Sequence, residues 1–77
     1  MTMEWPKGQL VRTAETLGET KGWFIVADAM ARREPNRLGF IVNWVAGHGG
    51  DVLWVVHEEG GPGVPYSTEE LEKVGPR

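Results

Sequence analysis

The sequence predicts an all-β fold, a small five-stranded barrel with one short helix in its first long loop. Three observations predict it. Residues 38–46, Leu-Gly-Phe-Ile-Val-Asn-Trp-Val-Ala, form a run dominated by β-branched and aromatic side chains. Residues 52–57, Val-Leu-Trp-Val-Val-His, form a second such run, and the glycine-rich stretch Gly47-His48-Gly49-Gly50-Asp51 between them has the length and composition of a hairpin loop. After Glu58-Glu59-Gly60-Gly61-Pro62-Gly63 turns the chain again, Val64-Pro65-Tyr66 and a Ser-Thr-Glu-Glu-Leu-Glu tail supply the closing half.

The elements follow in order. Residues 1–7 read as a flexible lead-in, because Pro6 cannot donate to a ladder and Gly8 permits a turn. Gln9-Leu10-Val11-Arg12-Thr13 alternates and predicts the first strand, with Val11 inward. Residues 14–22 are polar, carry two glycines and read as loop. Residues 23–27, Trp-Phe-Ile-Val-Ala, are apolar and fit either a strand or the lead-in to a helix. Asp28 is placed to cap a helix over Ala29-Met30-Ala31-Arg32-Arg33, which Pro35 stops at Arg33 or Glu34. The two arginines then face the negative end of its dipole.

Pro35-Asn36-Arg37 predicts a turn into the strand 38–46. Alternation there puts Phe40, Val42 and Trp44 on one face and Ile41, Asn43 and Val45 on the other. In the next strand Leu53, Val55 and His57 oppose Val52, Trp54 and Val56. Pro65 marks the short strand 64–66 as an edge or an end. Ser67 and Glu70 fit a capping box, predicting one helical turn over Thr68–Leu71, and residues 72–74 are placed to pair as a last strand before a tail at 75–77. Val11, Ile41, Val55, Leu53 and Leu71 are the expected core.

Bulk properties bound the function. A chain of 77 residues makes one domain, here residues 8–74, and buries only about 60% of its unfolded surface. With no cysteine there is no disulfide, thiol chemistry or cysteine zinc site. Hydrophobic residues at 40% and charged residues at 25% are the composition of a globular protein. Four tryptophans stand out; they either enlarge a tiny core or anchor a partner. Eight basic residues against eleven acidic ones give a net charge of −3, which disfavours nucleic acid as a partner, although Arg32, Arg33 and Arg37 cluster. Glu58, Glu59, Glu69, Glu70 and Glu72 form the acidic counterpart. No apolar run approaches a membrane span, and Met1–Lys7 is not a secretory signal, so a cytoplasmic location is expected.

A family pattern runs through the chain: Gly8-x-x-Val11-Arg12, a long polar loop, Leu38-Gly39-x-Ile41-Val42, a strand ending in an acidic glycine turn, then Tyr66 followed by Glu70-Leu71-Glu72-x-Val74. It resembles small Src-homology-3-type barrels, notably the electron-transport accessory group, which includes a small accessory component of photosystem I and the variable chain of ferredoxin–thioredoxin reductase. KOW, Tudor and Mind-bomb/HERC-type barrels share that architecture. The resemblance spans residues 8–74 in short motifs, and the chain departs from it in the helix expected at 28–33 and in the glycine-rich loop 47–51. It implies a non-catalytic role: docking onto a larger complex, or recognising a peptide or RNA.

The residues that suggest chemistry have plainer explanations. His48 and His57 fall at opposite ends of the predicted hairpin, with His57 opposite a residue near 41, roughly 17–20 Å apart at about 3.3 Å per residue. They cannot share an ion, so neither a metal nor a cofactor is expected. Ser67, Thr68, Glu69 and Glu70 are explained by capping, and the glycines at 47–50 lack the helix and Lys-Ser/Thr pair of a phosphate loop. What survives is an aromatic platform of Trp23, Trp44, Trp54 and Tyr66 beside Arg32 and Arg33, with Trp44 or Trp54 expected to be more than a third exposed. The expected function is a protein–protein interaction module or small accessory subunit. The alternatives are a KOW/Tudor-type nucleic-acid module, and a small enzyme or metal-binding protein using His48 or His57. The oligomeric state stays open.

Overall fold

The computed structural model describes residues 5–18, 23, 25, 27–46 and 51–75. The order is β1 (Leu10–Thr13), α1 (Ala27–Ala31), β2 (Leu38–Val45), β3 (Val52–His57), β4 (Gly63–Ser67), a 3₁₀ turn (Thr68–Glu70) and β5 (Leu71–Lys73). The five strands form one antiparallel sheet in the order β4-β3-β2-β1-β5. This corrects the expected closed barrel: the ladder ends at β4 on one side and β5 on the other, and these edges do not pair.

The sheet is nevertheless strongly curled. Only Thr68–Glu70 separate the two edge strands. A 3₁₀ segment rises about 2 Å per residue, so that stretch reaches about 8 Å. Five strands lying flat would hold their edges about 19 Å apart. The concave side holds the core: Val11, Ile41, Leu53, Val55, Val64, Tyr66 and Leu71. Val11, Ile41 and Val55 are at most 1% exposed, as their alternation predicts.

β2 departs from simple alternation. Ile41 pairs with Val55, but Asn43 pairs with Trp54, so Val42 is the extra residue of a β-bulge. The bulge reverses the faces of everything after it. Trp44, expected beside Phe40 and Val42, instead lies opposite Leu53 and packs on the core cluster. The same register sets Gly39, not a residue near 41, opposite His57.

The lead-in is tied down from Trp5 onward. Trp5 packs against the core with the Lys73 ammonium 5.1 Å above its ring. Gly8, at φ +88°, turns the chain so that its N–H reaches the Ile41 carbonyl at 2.7 Å.

Residues 14–37 leave the sheet and return. Among the described residues of 23–27, Trp23 and Ile25 belong to no strand, and Ala27 already starts the helix. Asp28 is therefore inside the first turn of α1 rather than its cap, where its carboxylate takes Arg32 at 3.1 Å across one turn. The helix ends at Ala31, short of the expected Arg33 or Glu34, and closes with tight bonds from the Arg32 and Arg33 N–H groups to the Ala29 and Met30 carbonyls. Asn36 takes the left-handed conformation, φ 56°, in the turn before β2.

Candidate functional site

The residues expected to share one platform are dispersed. Trp44 lies on the core side of β2 and Trp54 on the outer side of β3, paired with Asn43 and Pro65. Both are half-buried, so the expected exposure of one of them is not met. Trp23 is half-buried beneath the Arg33 guanidinium, which sits 5.2 Å from its ring centre. Tyr66 is fully buried and the Arg33 side chain is only 7% exposed, which removes both from any contact surface. Of the six residues, Arg32 is the exposed one, and Asp28 pairs with it. His48 lies outside the described residues.

The outer face carries the exposed apolar surface instead. Phe40 and Val42 of β2 are 43% and 42% exposed. The cross-strand register puts Leu10, Phe40, Val56 and Gly63 in one row. The Trp54 ring lies 3.5 Å from where a Cβ of Gly63 would stand, and Val42 lies 3.9 Å from the same point. Trp54 and Val42 thus meet over Gly63 at ordinary contact distance.

The opposite side holds a polar lock that pins the excursion to the sheet. Glu70 is its hub. Its Oε1 accepts the Ser67 N–H at 3.0 Å, the half of the capping box that the Ser-x-x-Glu spacing predicts. Its Oε2 accepts both the Gly18 N–H and the Arg33 guanidinium, the latter at 2.6 Å. Arg33 also donates to the Pro65 carbonyl at 3.0 Å, blunting the edge of β4, and lies 5.3 Å from the Tyr66 ring centre. Burial alone would raise the Glu70 carboxyl, but Arg33 and the Ser67 and Gly18 N–H groups outweigh it and hold it below the ordinary carboxylate value.

Tyr66 is the second hub. Its hydroxyl accepts the Glu34 N–H at 3.0 Å and lies 2.8 Å from His57 Nε2 and 3.3 Å from the Glu34 carbonyl. One hydroxyl proton can serve His57 or the carbonyl, not both, so the His57 tautomer decides which receives it. Burial, and then the charge of Arg37, push His57 below its ordinary value, while Glu34 pulls the other way. Removing the hydroxyl strands the Glu34 N–H and His57 Nε2 together. Tyr66→Phe is expected to lose about 1–3 kcal/mol in urea unfolding, without a change in the far-ultraviolet spectrum. A loss within experimental error would show that the hydroxyl carries no net bond.

Beside this hub is a cavity of about 330 Å³. Ala31, Arg32, Glu34 and Arg37 wall it on the excursion side and the β3–β4 hairpin walls it on the other, with His57 between. Arg37 bridges the two sides through ion pairs with Glu34, at 3.1 Å, and Glu59.

The arginine cluster and Glu70 as a capping residue were both visible in the sequence, but the burial of Glu70 and its pairing with Arg33, 37 positions away, were not. Among the described residues there is no group of three or more potential ligands that could hold a metal ion, and no helix long and apolar enough to cross a membrane. No protein-family profile, curated protein or solved structure matches the chain.

Proposed function

We propose that this chain is a non-catalytic protein-interaction module, or a small accessory subunit, whose partner rests on the outer face of β2 and β3. One observation carries the reading: Phe40 and Val42, both over 40% exposed, lie beside the half-buried Leu10, Trp54 and Val56 on the face turned away from the core. Large apolar side chains gathered at the surface of a small domain are the usual mark of a contact site. The Src-homology-3-type resemblance supports the same reading. Its long excursion after the first strand and its helical turn before the last have counterparts in residues 14–37 and 68–70.

The nucleic-acid alternative depends on Arg32, Arg33 and Arg37 as a basic patch. Each has a carboxylate partner, namely Asp28, Glu70, and Glu34 with Glu59. Little unpaired positive charge is left for a phosphate backbone.

The test is capture of a partner from the native cell with wild type and with Phe40→Asp/Val42→Asp, both checked for intact secondary structure. Placing two carboxylates in the contact is expected to reduce retention at least tenfold, while Glu69→Gln, at the exposed position of the 3₁₀ turn, leaves it unchanged. Equal retention by all three proteins would rule out this face as the contact. Retention on heparin that falls steeply with salt would favour the nucleic-acid alternative.

A further inference from the structure

We propose that the returning arm of the excursion, residues 27–37, is a strap that acid releases in two steps. Glu34–Arg37 loosen first, when His57 takes up a proton, and Arg33 with α1 follow, when Glu70 does.

The strap is built to detach without dismantling the sheet. α1 buries no residue, and every member of the core cluster comes from a strand or from Leu71 at the start of β5. What holds the strap is polar. Glu34 is bonded to the Tyr66 hydroxyl through its N–H. The Thr13 hydroxyl donates to the Glu34 carbonyl at 2.7 Å and accepts the Arg37 N–H at 2.8 Å, while the Asn36 N–H reaches the Thr13 carbonyl at 3.1 Å. Arg33 holds Glu70 and the Pro65 carbonyl. A segment attached by hydrogen bonds with little apolar burial belongs to the low-stability end of a fold and opens locally.

His57 sits where such opening is felt. It is 9% exposed, and the strap walls the cavity that its ring lines. The groups facing it are Arg37, Arg32 and Glu34 from the strap, Glu59 from the β3–β4 turn and Tyr66 from β4. A cation on the ring would join two arginines, and both carboxylates are already engaged by Arg37. Lifting the strap removes Arg37 and admits water, so the open form binds the proton more readily.

The sign follows from linkage. The docked His57 resists protonation, so the docking it contributes is complete above its ordinary value of 6.5 and is lost as pH falls below that. The docked Glu70 is held ionised, so its contribution is complete above 4.5 and is lost only as pH falls further. Between those values the first step stands alone.

The test is amide exchange, read as protection factors by nuclear magnetic resonance from pH 7.5 to 4. The Glu34 and Arg37 amides are expected to lose protection by up to about tenfold per pH unit below 6.5, with the Leu53 and Val55 amides holding. The Gly18 amide, bonded to Glu70, is expected to follow only below 4.5. His57→Gln, which keeps a hydrogen-bonding amide but takes no proton, should erase the first step and keep the second. If that variant does not fold, wild type suffices: the His57 ring must titrate below 6.5, with the midpoint of the Glu34 amide. Strap and strand amides failing together, a Glu34 step that survives in His57→Gln, or Gly18 releasing first would each overturn the proposal.

Discussion

Glu70→Ala is expected to cost about 3–5 kcal/mol, the range for removing one partner of a buried ion pair. Glu70 and Arg33 are 6% and 7% exposed at their side chains, so solvent does little to screen the loss. The substitution also strands the Ser67 and Gly18 N–H groups and leaves a guanidinium buried without its counter-ion. A domain of 77 residues has a total stability of only about 4–12 kcal/mol. Against that total, the variant should release residues 27–37 first, with the Leu53 and Val55 amides still protected, and its urea midpoint should fall. Removing both charges is milder than removing one. The double variant Arg33→Met/Glu70→Leu should be more stable than the sum of the two single losses, because no unpaired charge remains. A Glu70→Ala loss below 1 kcal/mol would show that the carboxylate is solvated rather than buried.

How much of this was legible in the sequence depends on the range of each interaction. β1 and β3 were readable because their faces are set by the alternation of neighbours, Val11 inward and then Leu53, Val55 and His57, whereas β4 was readable only as a strand, since Tyr66, expected on the platform, lies in the core. Pro65 correctly marked an edge strand. The Ser67–Glu70 spacing correctly located the turn between the last strands, which is a 3₁₀ turn over 68–70, with β5 starting at Leu71 instead of Glu72.

The failures begin where a distant contact decides. Phe40-Ile41-Val42-Asn43-Trp44 reads as unbroken alternation, and nothing local says which residue is extra. The contacts of β3 select Val42, which sends Trp44 to the core and dissolves the expected pair of outward tryptophans. Arg33 reads locally as a helix C-terminal cation, yet its carboxylate lies across the chain on the 3₁₀ turn. Closing a ladder is likewise a property of the whole sheet, so short strands with a plausible barrel order can stop at an open edge. The candidate contact face was missed for the same reason: Phe40 and Val42 acquire their meaning only once Trp44 has turned away from them.

Gly39→Ala is expected to rank with Glu70→Ala in severity, for a reason rooted in the register. Gly39 lies between Val11 of β1 and His57 of β3 on the core side. A Cβ there would stand 2.6 Å from Val55 Cγ1, 2.6 Å from the Val56 carbonyl oxygen and 3.2 Å from His57 Cα. The valine methyl has no free space to enter, because Val55 is fully buried. The other two atoms are backbone of the neighbouring strand β3, and moving them breaks the β2–β3 ladder and shifts His57 off the Tyr66 hydroxyl. Overpacking a core costs about 1–3 kcal/mol when side chains can adjust, and a clash with backbone belongs at or above the top of that range. Gly60→Ala provides the contrast. That glycine has open space around it and φ +96°, so its penalty is conformational alone and smaller, about 1 kcal/mol. Urea unfolding of the two variants separates the mechanisms. Gly39→Ala should also broaden or shift the His57 ring resonances, whereas Gly60→Ala should leave them in place. If Gly39→Ala were the milder of the two, the cross-strand pairing of Gly39 with His57 would be wrong.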